Sequence, residues 1–506
     1  MTNTDELKQK RSAIEKGGGE EAIKQQHSAG KLTARERLLK LFDEGSFVEV
    51  DAFVKAKENA VSGDAKTPAE GVVSGYGSVG GRLVYAYAQD YTVTKGALTE
   101  AHIEKICKIM DFALKMGAPV VALLDSQGVK IENGLLILES MGKMLKKSAL
   151  LSGVVPQISV VLGTCAGGAA FLPVLSDFVI MSEKNSTMFL NGPSISGSNL
   201  TPDKIGGADV CAVKTGTCAL VGSSEDECFE KVRELIEYLP SNNIESSPYY
   251  ESAEDNGESI ENLNTLSENL DSADVKNIIK EVADGGSFFE LYSSYAQNIV
   301  TGFMRLNGAT VGVVANQSKV NSGIIDVKAA KKASAFVNFC DSFNISILTV
   351  TNTKGFEIST AEELNGMLKS AASLLYSFAQ ATVPKVNLIV GKAYGSAYVS
   401  MNSKSIGADI VFAWPSAEIA VMNPDAAANI LFSEKISASS DPINDRNSLI
   451  NEYALKYANP YVAASYGYVD DIFEAGFTRL RLINAFDMLM SKREVIPSRK
   501  HGNMPL

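Results

Sequence analysis

The chain of 506 residues carries one pattern twice, and this duplication limits the folds that it can adopt. Four segments of the first half recur in the second half in the same order. The paired segments are 45–50 with 286–291, 81–85 with 308–312, 121–128 with 348–355, and 155–163 with 383–391. The last three pairs lie 227 or 228 residues apart. We therefore predict two copies of one domain.

The duplication divides the sequence into four predicted parts. Residues 1–29 form an N-terminal helical arm, in which a charged helical pattern is interrupted at Gly17-Gly-Gly19. The two copies occupy residues 30–240 and 275–506. Between them, residues 241–274 are predicted to be a solvated acidic linker, because positions 245–274 hold nine acidic residues and no Lys or Arg.

Within each copy, the sequence alternates between strand and helix patterns. The spacing predicts strands at 70–79, 82–89, 119–124 and 157–162, an amphipathic helix at 100–116, and a further helix beginning near 163–168. Asn307-Gly308, and Gly80-Gly81 in the first copy, are typical of hairpin turns. A capping box, Thr33 to Glu36, opens another helix, which Gly45 is expected to close. This order predicts an α/β fold with crossover connections in each copy.

One glycine pattern is excluded as a nucleotide site. Residues 75–80 match the GxGxxG spacing, but a strand rather than a helix follows them. The dinucleotide fingerprint requires strand, glycines and then helix, so we interpret this segment as part of a hairpin.

Composition excludes several classes of function. The formal net charge of −12 argues against nucleic-acid binding, and three histidines leave little material for histidine-based catalysis. The six cysteines have no metal-binding spacing, so no metal site is predicted and the thiols are expected to be reduced. The N-terminus lacks a signal-peptide pattern, and no apolar run approaches the roughly 20 residues of a membrane span. We therefore expect a cytoplasmic protein.

Two equivalent loops are the best candidate sites. Each follows a buried strand and is rich in small residues, at 164–169 in the first copy and 392–397 in the second. Small residues let the backbone approach a ligand, and the N–H groups at a helix start are free to donate. Such donors suit an enolate or tetrahedral oxyanion, although the same pattern also serves tight helix–strand packing. A second loop, 125–134, either lines a pocket or is an ordinary polar turn.

The chain resembles the carboxyltransferase subunits of biotin-dependent acyl-CoA carboxylases and decarboxylases over almost its whole length. The segments that carry the resemblance are 30–37 (GKLTARER), 71–77 (GVVSGYG), 88–90 (AQD), 152–157 (SGVVPQ), 165–168 (CAGG), 302–307, 314–317 (VANQ), 381–385, 392–395 (KAYG), 413–422 (AWPSAEIAVM), 459–462 (NPYV) and 499–503 (RKHGN).

The resemblance implies two tandem crotonase-like domains, a homohexamer, and active sites formed by the first domain of one subunit with the second domain of another. It implies that an acyl-CoA thioester binds the first domain, while biotin on a separate carrier protein enters against the second. Biotin carboxylase or membrane decarboxylase subunits would be further partners. No Ala-Met-Lys-Met biotin-attachment signature occurs in this sequence.

The resemblance also implies roles for individual residues. Backbone donors to the thioester enolate would come from Gly167 and Gly168, and donors to the biotin ureido oxygen from Ser396 and Ala397. Further contacts are expected to the substrate from Cys165, Ala166, Gly128 and Val399, and to biotin from Tyr394 and Gly395.

Three departures from the family pattern surround these sites. Ser396 replaces a glycine, Lys130 follows Asp-Ser-Gln-Gly-Val where the family has Asp-Ser-Gly-Gly-Ala-Arg, and Lys354 lies where the family has Asp-Val-Pro-Gly-Phe. These changes leave open which acyl-CoA is used, and the apolar Val399 suits a short acyl chain. Alternatives are the decarboxylase direction, a biotin-independent hydratase or isomerase, and a non-catalytic assembly subunit.

Overall fold

The chain forms two compact units, Met1–Ser247 and Pro248–Leu506. The computed structural model describes residues 2–55, 67–252 and 259–505. The division between the units falls inside the segment predicted as an acidic linker. The four-part division into arm, two domains and linker stays a prediction.

Unit 1, Met1–Ser247, combines a long mixed sheet with helices on its faces. Its strands are β1 (Val48–Val50), β2 (Val72–Val79), β3 (Arg82–Gln89), β4 (Val120–Ser126), β5 (Gln157–Ala166), β6 (Phe178–Ser182), β7 (Thr187–Phe189) and β8 (Leu220–Gly222). Its helices are α1 (Asn3–Glu15), α2 (Glu20–Ser28), α3 (Ala34–Leu41), α4 (Glu100–Met116), α5 (Leu135–Leu151), α6 (Phe171–Leu175), α7 (Pro193–Ser196), α8 (Pro202–Gly206) and α9 (Glu225–Tyr238).

Unit 2, Pro248–Leu506, repeats this arrangement. Its strands are β9 (Phe288–Leu291), β10 (Ile299–Leu306), β11 (Ala309–Asn316), β12 (Ser346–Thr353), β13 (Lys385–Tyr394), β14 (Ile410–Ala413), β15 (Glu418–Ala420) and β16 (Asp471–Ile472). Its helices are α10 (Glu261–Ser267), α11 (Val275–Val282), α12 (Val327–Ser342), α13 (Thr360–Leu364), α14 (Met367–Gln380), α15 (Gly395–Ser400), α16 (Pro424–Leu431), α17 (Ser433–Ser437), α18 (Pro442–Tyr457), α19 (Pro460–Ser465) and α20 (Thr478–Leu489).

The two sheets have the same topology. The strand order is β1-β2-β3-β4-β5-β6-β8 in unit 1 and β9-β10-β11-β12-β13-β14-β16 in unit 2, with β7 paired to β5 and β15 to β13. The first three strands of each sheet are antiparallel, and the later neighbours are parallel. Every residue of β4 is buried, as expected for a central parallel strand covered on both faces. This α/β architecture agrees with the prediction from the sequence.

Both predicted hairpin turns form, and each is held by an aspartate. Asn307 and Gly308 have φ values of 50° and 81°, and Gly80 and Gly81 have 57° and 75°, the positive φ pair that two-residue hairpins favour. Asp43 accepts hydrogen bonds from the N–H groups of Gly80 and Gly81 at 3.1 and 2.9 Å. The glycine pattern at 75–80 is therefore a hairpin, as predicted.

In each unit, an arginine of the last helix binds the aspartate that holds the hairpin of that unit. Arg233 of α9 donates to Asp43 at 2.7 Å and to the Leu41 carbonyl at 2.8 Å. Arg479 of α20 donates to Asp284 at 2.7 Å and to the Val282 carbonyl. Asp284 in turn accepts from both N–H groups of the second hairpin. We call each aspartate–arginine pair the clasp of its unit.

Several predicted boundaries differ from the structure. Helix α3 begins at its capping box but ends at Leu41, well before Gly45, because Phe42 turns to an extended conformation. Phe42 then packs where a Cβ on Gly77 of β2 would lie, 2.8 Å from its ring. The strand predicted at 157–162 continues to Ala166, so the start of the predicted loop is strand.

The predicted acidic linker is partly structured. Residues 253–258 lie outside the described ranges, but Glu261–Ser267 form α10. Leu263 of α10 is fully buried in the core of unit 2, together with residues of α11 and α20. The prediction of a wholly solvated segment is therefore wrong for its second half, because apolar residues among the acidic ones supply a buried face.

None of the helices within the described ranges is both long enough and apolar enough to cross a lipid bilayer.

Candidate functional site

The candidate loops lie where β5 and β13 turn into helices. Gly167 and Gly395 have φ values of 67° and 61°, and each follows a residue in extended conformation, Ala166 or Tyr394. These two turns are 228 residues apart, so they occupy equivalent places in the two units. Glycine suits such a turn because positive φ is unfavourable for residues with a Cβ.

The equivalence also aligns the predicted donors. Gly168 corresponds to Ser396, and Ala169 corresponds to Ala397, so the predicted pairs Gly167 with Gly168 and Ser396 with Ala397 are shifted by one residue relative to each other. Gly168 lies in a 3-10 turn, Gly167–Ala170, and Ser396 lies in the first turn of α15. The first N–H groups of such turns have no partner within the helix, so Gly168 and Ser396 are the donors that match.

A second donor lies beside each turn, and the sequence analysis missed it. Leu98 donates to the Gly128 carbonyl at 2.9 Å and accepts from the Lys130 N–H at 2.9 Å. Because N–H groups alternate in direction along an extended segment, the N–H of Val129 between them faces away from Leu98, toward β5. Within the described part of the chain, the Val129 N–H has no acceptor.

Unit 2 repeats this arrangement. Ile325 donates to the Gly355 carbonyl at 3.0 Å and accepts from Glu357 at 2.9 Å, which leaves the N–H of Phe356 facing β13. Among the described residues, the Phe356 N–H also has no acceptor. Each unit thus presents one N–H from the loop after its fourth strand and one from the turn after its fifth. The sequence showed that the loops of the two units are equivalent. It did not show the hydrogen bonds of Leu98 and Ile325 that leave the N–H groups of Val129 and Phe356 without an acceptor among the described residues.

The predicted substrate residues of unit 1 fall into two groups. Gly128 approaches the turn, since a Cβ on it would lie 3.5 Å from the Ala166 carbonyl oxygen. The side chain of Cys165 is buried in the core of the unit, and burial raises the pKa of its thiol to about 12. Cys165 can therefore contribute only backbone to a site, and its thiol is not a nucleophile.

Met141 of α5 lies beside the turn that begins at Gly167. A Cβ on Gly168 would lie 2.5 Å from the Met141 Cε and 2.9 Å from its Sδ. Met141 is half-buried and also packs against the core of unit 1. By contrast, the space beside Gly167 is open, with no atom within 4 Å of a Cβ built there. The turn at Gly167 therefore has Met141 on one side of it and open space beside Gly167.

The predicted cofactor residues of unit 2 surround the second turn. Tyr394 is buried, and its hydroxyl donates a short hydrogen bond to the Glu418 carboxylate on β15. Burial and this bond raise the pKa of the Tyr394 phenol well above its usual value. The hydroxyl hydrogen of Tyr394 is therefore used in the bond to Glu418. Ser396 is exposed, Ala397 is fully buried, and Val399 is half-buried one turn further along α15.

The three histidines take no part in these turns. The His27 ring pairs with Glu36 at 2.9 Å, and the His501 ring contacts the Gly502 carbonyl at 3.1 Å. His102 is fully buried on α4, where burial lowers its pKa to about 3. The chemistry available at the turns is therefore donation by backbone N–H groups.

Comparison with known proteins identifies the family. The carboxyl transferase domain model matches residues 25–504. The methylmalonyl-CoA decarboxylase subunit alpha of Propionigenium modestum is 44% identical over 99% of this chain and 98% of its own length. The propionyl-CoA carboxylase carboxyltransferase subunit of Haloferax mediterranei is 44% identical over 99% of both chains.

A solved structure extends this similarity to the fold. The crystal structure of transcarboxylase 12S, a hexamer with hydrolysed methylmalonyl-coenzyme A bound, superposes with a TM-score of 0.96 at 40% identity, covering 99% of this chain and 98% of that one. This match confirms the two tandem crotonase-like domains that the resemblance implied. The chain therefore belongs to the carboxyl transferase family.

Proposed function

We propose that this protein is the carboxyltransferase component of a biotin-dependent enzyme in the cytoplasm. It moves a carboxyl group between carboxybiotin and the α-carbon of a short-chain acyl-CoA, with propionyl-CoA and methylmalonyl-CoA as the favoured pair. The observation that carries the proposal is the duplicated turn, which presents free backbone N–H groups at equivalent places in both units. The names of the relatives support this choice of acyl group.

In unit 1, the N–H groups of Gly168 and Val129 hold the thioester oxygen. When the α-proton leaves, negative charge develops on this oxygen, and donors aimed at it stabilise the enolate more than the ground state. Removing one such donor typically costs about 3–4 kcal/mol of transition-state stabilisation. The open space beside Gly167 leaves room for the thioester, and we assign further contacts to the backbones of Gly128 and Ala166, which approach each other next to this turn. Gly167 provides the bend that exposes these donors.

The donor set of unit 2 fits the ureido group of biotin. The N–H groups of Ser396 and Phe356 offer donors to a carbonyl oxygen, and the buried Ala397 side chain leaves the approach free. Carboxybiotin bound there would supply the carboxyl group and, after its release, the base for the α-proton. The residues of this chain hold the ureido oxygen and orient the ring. Gly395 lets the backbone turn toward it, and Tyr394 fixes the turn through Glu418.

This chemistry runs in either direction. A carboxylase would receive the carboxyl group from a biotin carboxylase through a biotin carrier protein. A decarboxylase would pass it from methylmalonyl-CoA through the carrier to membrane subunits. The relatives include proteins named for each direction, so the direction depends on the partner subunits.

We also propose a homohexamer, as in transcarboxylase 12S. Equivalent helices of the two units expose leucines, an arrangement that favours burial against further copies of the chain. The exposed leucines are Leu135, Leu136 and Leu138 on α5, and Leu364 and Leu368 on α13 and α14.

A hydratase or isomerase would need a free carboxylate at the first turn. Asp125, whose carboxylate packs on β5 just before the turn at Gly167, is engaged by Lys31 and Arg37, and Glu418 beside the turn at Gly395 is engaged by Tyr394. This engagement favours the carboxyltransferase proposal, in which the base comes from the cofactor.

The proposal is tested by carboxyl exchange. The purified protein is incubated with a biotinylated carrier domain, methylmalonyl-CoA labelled in its free carboxyl group, and unlabelled propionyl-CoA or acetyl-CoA as acceptor. We expect label to appear in the acceptor only when the carrier carries biotin. No transfer to any short-chain acyl-CoA would contradict the proposal and favour an assembly subunit. Carrier-independent hydration or isomerisation would favour the hydratase alternative.

A further inference from the structure

A buried cluster of charges joins the N-terminal segment 26–37, which spans the end of the arm and the start of the first domain, to strand β4. Arg37 of α3 is fully buried and donates to Asp125 at 3.0 Å and to Glu225 at 2.9 and 2.6 Å. Lys31, just before α3, donates to both oxygens of Asp125 at 2.8 and 2.7 Å. Gln26 of α2 adds a hydrogen bond to the same carboxylate at 3.1 Å. Three side chains of the N-terminal segment 26–37 thus converge on Asp125.

Asp125 in turn packs on the strand that carries the first turn. A Cβ on Gly163 of β5 would lie only 1.9 Å from the Asp125 Oδ1, so the carboxylate lies directly against this backbone. Arg37 also donates to the Leu162 carbonyl at 3.4 Å. Gly163 precedes Gly167 by four residues, so the cluster contacts β5 immediately before the turn.

The same segment also reaches the loop after β4, which carries the other donor. The Lys31 ammonium group lies 4.4 Å from the centre of the Tyr91 ring, within the range of a cation–π contact. The Tyr91 hydroxyl accepts a hydrogen bond from Gln127 at 3.1 Å. Gln127 lies two residues before Val129, whose N–H we assign to the thioester oxygen. Lys31 therefore contacts Asp125, which packs against β5 just before the turn, and Tyr91, which binds the loop that carries the Val129 N–H.

At the equivalent strand of unit 2, neutral side chains take the places of Asp125 and Arg37, and the ion pair there, Lys392 with Asp271, lies at the surface. Asn352 takes the place of Asp125, and its Oδ1 accepts from the Lys392 N–H at 2.9 Å. Helices α3 and α11 bury residues at matching positions, and Ile278 occupies the position of Arg37. A neutral amide and an apolar side chain are thus sufficient for the fold. Because buried ion clusters are often no more stabilising than apolar packing, stability alone does not account for the charges in unit 1.

We propose that the N-terminal segment 26–37 is a positioning element for the acyl-CoA site, in which Lys31 and Arg37 hold Asp125 and thereby fix the β5 turn and the loop after β4. Lys31 and Asp125 are positioning residues, since they act through Gly163 and Gln127 and not on the substrate. This inference rests on the proposed function for its catalytic consequence, but the positioning itself is independent of it.

The experiment compares Lys31→Met with Lys40→Met. Lys40 lies on α3, the helix that follows Lys31, and pairs with Asp226 at the surface, so its substitution is a matched control. Amide hydrogen exchange is followed in the peptides 163–170 and 391–397. We expect Lys31→Met to accelerate exchange about tenfold in 163–170, which corresponds to about 1.4 kcal/mol of local stability. The peptide 391–397 should be unchanged, and Lys40→Met should match the wild type in both.

Activity provides the second measurement. If the proposed function holds, Lys31→Met lowers kcat of carboxyl exchange by up to about 100-fold, with the KM for acyl-CoA changed less than about twofold. If Lys31→Met does not fold, Lys31→Gln, which keeps a hydrogen-bond donor, takes its place. Unchanged exchange in 163–170, or equal acceleration in both peptides, would overturn the positioning role. An inactive wild type would refute the proposed function alone, because hydrogen exchange still decides the inference.

Discussion

Replacing Gly168 by alanine tests the effect of the space around this residue while keeping its backbone donor. Alanine keeps the N–H that we assign to the thioester oxygen, but its Cβ would lie 2.5 Å from the Met141 Cε. Carbon atoms in contact are about 3.5–4.0 Å apart, so the end of the methionine must move by about 1–1.5 Å. Met141 packs against the core of unit 1, whereas the space beside Gly167 is open. We therefore expect Met141 to move into the acyl-CoA site.

The expected effects on stability and on catalysis differ. Because the displaced atoms are the far end of a flexible side chain, Gly168→Ala should lower the free energy of unfolding by only about 1 kcal/mol in urea titrations. The same displacement in the site should lower kcat/KM of carboxyl exchange by about 10- to 100-fold. Unit 2 supports tolerance of a side chain here, since Ser396 occupies the equivalent position.

A second substitution tests the cause. Met141→Ala in the Gly168→Ala background removes the displaced side chain, and we expect it to restore most of the activity, with a coupling free energy of about 1–2 kcal/mol. The control is Gly142→Ala, because a Cβ at this helical position meets no atom within 4 Å. It should leave the exchange rate unchanged. A double variant as slow as Gly168→Ala, or a fully active single variant, would refute the steric explanation.

Three further predictions follow from individual contacts. Gly163→Ala places a Cβ 1.9 Å from the Asp125 carboxylate, which is held by buried cations, so we expect urea titration to show a loss of at least about 3 kcal/mol; a loss near zero would contradict the close packing. Gly167→Leu should abolish carboxyl exchange by filling the open space, while strain at its φ of 67° costs only about 1–2 kcal/mol of stability and the hexamer persists in size-exclusion chromatography. Burial raises the pKa of Asp177 to about 7, above its unfolded value of about 3.9, so its ionisation opposes folding as the pH rises through this window. In urea titrations, Asp177→Asn should therefore be more stable than the wild type by about 2 kcal/mol near pH 8 and equally stable near pH 4, and a pH-independent difference would contradict the shift.

The duplication made much of the fold predictable from sequence. The hairpins, helix 100–116 and the strand–turn–helix loops depend on local patterns, and all of them form. The end of α3 was not predictable, because it depends on the contact of Phe42 with Gly77. The extension of β5 to Ala166 likewise depends on pairing with β7, which lies more than 20 residues further along the chain.

The candidate site was predictable only in part. The turns at Gly167 and Gly395 follow from small residues at equivalent positions, which the sequence displays. The N–H groups of Val129 and Phe356 could not be predicted, because no side-chain pattern in the sequence marks them. Their directions are set by the hydrogen bonds that the neighbouring residues make to Leu98 and Ile325. The thiol of Cys165 points away from the site because residues alternate across a strand, a consequence of the strand extension.

The clasp of each unit has a consequence for how such proteins can be encoded. In both units, an arginine of the last helix binds an aspartate near the start of the same unit, so each half closes on itself. A gene divided between the codons for Ser247 and Pro248 would therefore specify two polypeptides that each retain their own closure. Division of the gene at this point would therefore leave both clasps intact.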